Sequence, residues 1–209
     1  MKTILSYGGG VGSTALLLLM KDKIDEAVFV NHGGDYPETY QFVEFISKKI
    51  FPITIIKSNI EGFSNLYEYM WHKRIIPSYR YRWCTDKFKI RPITKYIKQK
   101  YGKAIVLIGY TFDERKRIKP LRNGLIYKYP LVEMKITREK AKEIIKENGL
   151  PIPKKSACWF CPFAKKSEIK ELKEKYPKLF KKLVELHRRC QRKDIALKFG
   201  VKDDLQDMG

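Results

Sequence analysis

The sequence predicts an α/β protein: a parallel sheet flanked by helices, with a C-terminal helical appendage that bears cysteines. Three observations predict it. Short apolar strands alternate with helix-period segments over the first two thirds of the 209 residues, a run of glycines joins the first strand to the first helix, and prolines at 151, 153 and 162 mark a change of character.

The elements follow in order. An apolar strand near 3–5 leads through the glycines into a helix over 14–23, and 27–31 reads as a second strand. Pro37 and Glu38 open a helix through 50, and the β-branched run 53–56 is a third strand. A helix is expected over 89–101, a buried strand over 104–109, and a short strand over 126–129. Thr137 caps a helix through 148 with Glu139 in its first turn, and Gly149 closes it. Basic amphipathic helices run from 167 to about 199, one of them over 177–192. The reading divides the chain into an α/β domain, 1–150, and a cysteine-containing helical extension, 151–209. No internal repeat or low-complexity segment interrupts it.

Charge narrows the partners. Lys and Arg number 44 against 23 Asp and Glu, a formal net charge of +21. Such a balance favours polyanions, with nucleic acid first and a polyphosphate nucleotide as a smaller version of the same target. Lysine richness also accompanies heat adaptation, and the basic residues are spread along the chain without a basic tail. The opening strand is too short for a secretory apolar region and no later run reaches membrane-spanning length, so a cytoplasmic protein without membrane partners is expected. In that reducing setting four cysteines speak for metal or thiol chemistry over disulfides.

The run Ser6-Tyr7-Gly8-Gly9-Gly10-Val11-Gly12-Ser13-Thr14 carries the most information. A glycine turn between strand and helix lets backbone N–H groups converge on an anion, aided by the helix dipole. It lacks the Gly-Lys-Ser/Thr ending of a Walker loop and the glycine spacing of the dinucleotide fingerprint. The bland alternative is a tight turn without a ligand.

This run resembles the PP-loop of the adenine-nucleotide α-hydrolase superfamily and, within it, the phosphoadenosine phosphosulfate reductase family, written S-x-S-G-G-x-D-S-T. Gly8 stands where that pattern has its second serine, and Gly12 where it has aspartate. Further segments resemble the family in order and spacing. They are Asn31-His32-Gly33-Gly34-Asp35-Tyr36-Pro37-Glu38-Thr39, with Asn31 in place of aspartate; Arg82-Trp83-Cys84-Thr85 followed by Lys87, Lys89 and Pro92; Gly109-Tyr110-Thr111-Phe112-Asp113-Glu114-Arg115 followed by Arg117; and Tyr129-Pro130-Leu131. The resemblance implies ATP or another adenine nucleotide held by Ser6 to Thr14, with Gly8, Gly9, Gly10, Val11, Gly12 and Ser13 around the phosphates. Asn31, His32 and Gly109 border the site. It also implies Mg²⁺, whose holding Gly12 and Asn31 leave open. All these segments follow strands or lie near the carboxyl ends of the sheet, where ligands of open parallel sheets sit. Ser13, Arg82, Lys87 and Arg117 are the candidate catalytic residues, offsetting phosphate charge in the transition state. Asp113 and Glu114 are equally suited to ion pairs with Arg115 and Arg117.

Cys158-Trp159-Phe160-Cys161-Pro162 is a C-x-x-C in a proline-bounded loop, and Cys84 and Cys190 complete a possible set of four metal ligands. One C-x-x-C pair with two scattered cysteines suits a 4Fe–4S cluster better than a zinc ribbon, with zinc as the alternative. Within the family the pattern resembles cluster-bearing sulfonucleotide reductases and sulfur-transfer enzymes. A dithiol pair at 158 and 161 and a purely structural Cys190 remain open, and His187 is a possible substitute ligand. His72 has no assigned role.

Two reaction types follow from the resemblance: reduction of an adenylylated sulfate, and ATP-driven activation of an oxygen on a nucleic acid (tRNA or DNA) followed by sulfur delivery. The Glu-Cys-Gly motif of the reductases does not occur in the final residues 203–209, and the positive charge favours the nucleic-acid reaction. A third reading is a non-catalytic nucleotide or nucleic-acid sensor with a structural metal.

Overall fold

The computed structural model describes residues 1–77, 83–120 and 123–190. Five parallel strands form one sheet: β1 (Lys2–Ser6), β2 (Glu26–Asn31), β3 (Ile53–Lys57), β4 (Ala104–Ile108) and β5 (Ile126–Lys128), in the spatial order β3-β2-β1-β4-β5. Helices follow the strands as the alternation requires: α1 (Val11–Met20), α2 (Pro37–Lys49), α3 (Leu66–Lys73), the single turn α4 (Trp83–Thr85), α5 (Arg91–Tyr101), the short α6 (Pro130–Glu133), α7 (Arg138–Glu147), α8 (Lys166–Lys175) and α9 (Pro177–Cys190). The predicted continuation of the last helix beyond 190 lies outside the described residues.

Period-two alternation buries the sheet on both faces. Leu5, Phe29 and Leu107 meet Leu16, Leu17, Val43, Ile46 and Leu131 on one side. Ile4, Val28, Val30 and Val106 meet Ile93 and Ile97 of α5 on the other. A third core lies beyond the sheet, where Leu66, Tyr69 and Met70 of α3 and Phe88 pack with Trp159, Phe160, Leu172, Phe180 and Leu183. The segment after residue 150 therefore shares a core with α3.

Three local departures from the sequence reading have physical reasons. The first helix starts at Val11, inside the glycine run, with Gly10 as its N-cap. Helix α3 was not expected from periodicity; Asn65 caps it, its side chain accepting a hydrogen bond from Glu68 N at 2.9 Å. The helix expected over 89–101 begins earlier, at α4, and passes through a π-helical stretch, Asp86–Ile90, before α5. Pro92 has no N–H to continue an α ladder, so the wider turn lies just where that bond would be lost.

Candidate functional site

The strand order reverses direction between β1 and β4, and the loops leaving those two strands meet there. Gly12 and Gly109 make the meeting possible. A Cβ on Gly12 would lie 2.0 Å from the Gly109 carbonyl oxygen, and a Cβ on Gly109 would lie 2.6 Å from Ser13 N. The first turn of α1 thus rests backbone to backbone on the exit of β4. A side chain at 12 has no room, which gives a steric reason for glycine where the resemblance has aspartate.

Within the loop Gly9 adopts φ +68°. Ser13 Oγ accepts from the amides of Gly8 (3.2 Å) and Gly10 (3.3 Å) and donates to Gly10 O at 3.1 Å. Thr14 Oγ1 donates to Gly10 O at 2.9 Å and lies 3.0 Å from Tyr7 Oη, fully buried. Thr14 therefore shapes the loop from beneath, and Ser13 holds two amides in convergence. Its bonds to them are long, and a phosphate oxygen makes shorter, charge-assisted bonds of roughly twice the strength.

The exit of β2 forms the next wall. Asn31 Oδ1 accepts from Gly33 N at 2.9 Å, closing an Asx-type turn. His32 is fully buried, and its Nδ1 accepts from Gly34 N at 3.1 Å. The ring proton then sits on Nε2, which is 3.2 Å from Asp35 Oδ2 and 3.8 Å from Cys158 Sγ. His32, expected at the nucleotide, is directed at the cysteine segment. His32, Asp35 and Cys158 bring one ligand atom each to within 4.8 Å of one another.

That proximity comes from a docked loop. Asp35 and Cys158 form an antiparallel bridge, and Trp159 N donates to Gly34 O at 3.1 Å. Cys161 N donates to Cys158 O at 3.0 Å, folding the C-x-x-C into a turn. Burial pushes the Cys158 thiol well up, and Asp35, Cys161 and Cys84 add to this while the Lys89 ammonium opposes it. Burial would raise the Asp35 carboxyl too, but Lys89, 3.7 Å away, and His32 outweigh it and hold it at about 2. Cys84, Cys158 and Cys161 are electrostatic neighbours of Lys89, and Cys84 and Cys158 pack against the third core. Cys190, at the end of α9, packs against the same apolar cluster and is an electrostatic neighbour of Tyr67.

Two basic residues expected at phosphate, Lys87 and Arg117, have protein partners. Lys87 binds Glu61 and the Tyr69 hydroxyl. Arg117 pairs with Glu114 and covers the Tyr110 ring at 4.6 Å. Asp113 accepts from Arg138 N at 2.6 Å, capping α7 from outside. Arg82 lies outside the described residues. Sequence reasoning missed Asp35, three residues after His32, and Ser156, whose hydroxyl would lie 2.7 Å from a Cβ on Gly10. No sequence signal announced that the cysteine segment covers the glycine loop.

With this geometry in view, comparison with known proteins is decisive at the level of family: residues 2–154 match the phosphoadenosine phosphosulfate reductase domain. The chain belongs to that family. Its PP-loop fold also resembles the crystal structure of phosphoadenylyl-sulfate reductase from Candida auris in a phosphate complex, at TM-score 0.55 and 17% identity over 77% of this chain and 83% of that one. Two uncharacterized proteins of Methanocaldococcus jannaschii are similar in sequence. One is 27% identical over 95% of this chain and 48% of its own length, the other 26% identical over 86% and 40%. An uncharacterized nin region protein of Escherichia phage lambda is 30% identical over 61% of this chain and 53% of its own. The chain spans about half the length of the curated relatives it matches. Among the described residues, no helix of this family member is long and apolar enough to cross a membrane.

Proposed function

We propose that this member of the phosphoadenosine phosphosulfate reductase family binds ATP or a related adenine nucleotide at the β1/β4 junction. There it carries out nucleotide-dependent sulfur chemistry on a nucleic acid, with a metal centre on its cysteines. The observation that carries the reading is the contiguity of the two halves: Ser156 touches the glycine loop and, two residues on, Cys158 is bridged to Asp35 at the exit of β2. The amides of the glycine loop and of the first turn of α1 would hold phosphate oxygens, with Ser13 orienting those of Gly8 and Gly10. A formal charge of +21 suits a polyanionic acceptor such as tRNA or DNA.

The donor chemistry suits a 4Fe–4S cluster or zinc: Cys84, Cys158 and Cys190 border one core, and Lys89, an electrostatic neighbour of Cys84, Cys158 and Cys161, offsets thiolate charge. These four cysteines would hold the group. A cluster there supplies electrons or an iron able to carry sulfur. His32, with its proton on Nε2, would act as a hydrogen-bond donor toward Asp35 and the Cys158 sulfur, not as a ligand through that nitrogen. At positions 12 and 31 the chain offers Mg²⁺ no carboxylate, so the metal would be held chiefly by phosphate oxygens and water.

The test is anaerobic protein with ATP, Mg²⁺ and RNA or DNA. Acceptor-dependent pyrophosphate release together with an iron-based visible spectrum is the expected outcome. Ser13→Ala is expected to weaken ATP binding about tenfold, measured by calorimetry, and to leave the spectrum unchanged. The steric closure at Gly12 favours a second reading, a nucleotide sensor with a structural metal; bound ATP without turnover on any acceptor selects it. Release of sulfite from an adenylylated sulfate, with a two-electron thiol reductant supplied, would instead select the reductase reaction.

A further inference from the structure

We propose that Ser156 is a phosphate-contacting residue of the nucleotide site, delivered by the cysteine segment, so that metal ligation at Cys158 and nucleotide binding reinforce each other. This rests on the adenine-nucleotide reading above and goes beyond it by joining the two sites in one linkage.

Residues 154–160 lie like a strap across the carboxyl edge of the sheet, attached at 154, 156 and 158–160. Lys154 Nζ binds Glu38 at 2.7 Å in the first turn of α2. Ser156 lies against Gly10, its Oγ 2.7 Å from the position of a Cβ there. Cys158 is bridged to Asp35, Trp159 N bonds Gly34 O, and the Phe160 ring would meet a Cβ on Gly34 at 2.5 Å. Gly10 and Gly34 are thus approached by the same few residues, which is a reason for glycine at both. Ser156 is half-buried, and its hydroxyl lies beside Gly10, whose amide converges with that of Gly8 on Ser13 Oγ. A serine hydroxyl there can donate to a phosphate oxygen while its own position is set by the chain two residues before Cys158. Ligation of Cys158 restricts the strap, and a restricted strap presents Ser156 without further ordering cost. The coupling is reciprocal: what the metal does for the nucleotide, the nucleotide does for the metal.

The experiment measures ATP affinity by calorimetry on the metal-loaded full chain and on the same protein after chelation, for the wild type, Ser156→Ala and Ser156→Thr, with Ser13→Ala as reference. Wild-type affinity is expected to fall about tenfold on chelation. Loaded Ser156→Ala is expected to bind as weakly as stripped wild type and to be insensitive to chelation, while Ser156→Thr keeps the loaded affinity. In the wild type, ATP is expected to shift the metal's competition with the chelator by the same factor. Ser156→Ala binding like wild type, or losing as much as wild type on chelation, overturns the inference while the nucleotide reading stands on Ser13→Ala. Loaded wild type with no affinity for ATP overturns both.

Discussion

Gly12 shows how one residue can decide what a loop is able to do. With Gly109 O 2.0 Å from where its Cβ would be, any side chain must push the first turn of α1 off the exit of β4. Gly12→Ala is therefore expected to lower stability by about 3 kcal/mol despite the better helix propensity of alanine, read as a lower urea midpoint at unchanged slope. His32 makes a related point. From sequence it reads as a residue near the nucleotide; the hydrogen bond from Gly34 N to Nδ1 leaves Nε2 3.2 Å from Asp35 Oδ2 and 3.8 Å from Cys158 Sγ. The bond depends on a turn made by Gly33 and Gly34, and residue type alone does not reveal which way such a turn aims a ring.

Among the elements, β2 carries a charged anchor at its other end. Glu26, buried at the strand's start, accepts from Thr54, Tyr96 and Lys100 on Oε1 and from Tyr101 on Oε2, at 2.6 to 2.9 Å. Burial works against its ionisation, but these four donors outweigh it and bring the carboxyl from 4.5 to about 2. Between these values the unfolded chain binds more protons than the folded one. The anchor's contribution is thus complete above pH 4.5 and is lost as pH falls toward 2. Glu26→Gln is expected to cost roughly 2 kcal/mol at pH 7, and the gap to wild type should close in urea titrations carried into that acid window. The strands and α2 were legible because two-residue alternation and the Pro37-Glu38 start are local signals. Helix α3 was not, because Tyr67, Tyr69 and Trp71 blur its apolar stripe; the Asn65 to Glu68 cap was the readable clue. The π-helical stretch escaped notice because its signal, Pro92, lies one element downstream.

At the scale of the whole molecule, the parallel sheet, its helices and the position of the glycine loop were readable, and membership of the phosphoadenosine phosphosulfate reductase family agrees with them. That Cys84, Cys158 and Cys190 border one core was not readable, since that core is built from α3, α8 and α9. That core is open to test. Leu183, fully buried in α9, lies in the cluster that also holds Trp159 and Phe160. Leu183→Ala is expected to cost about 3 kcal/mol and, by loosening the support of the cysteine loop, to speed loss of the proposed metal centre to a chelator.

The stretch Asp86–Ile90 has one further implication. A π turn inserts one extra residue, and one residue is worth about 100° of rotation around a helix axis. Cys84 lies on the upstream side of that insertion and α5 on the downstream side. Shortening the segment by a single residue would leave α5 seated on the sheet while swinging the Cys84 sulfur about a quarter of a circle around the helix axis. The angular phase of Cys84, a ligand of the proposed metal centre, is thus encoded by chain length, and a one-codon deletion there is expected to read out as loss of that metal from an otherwise folded protein.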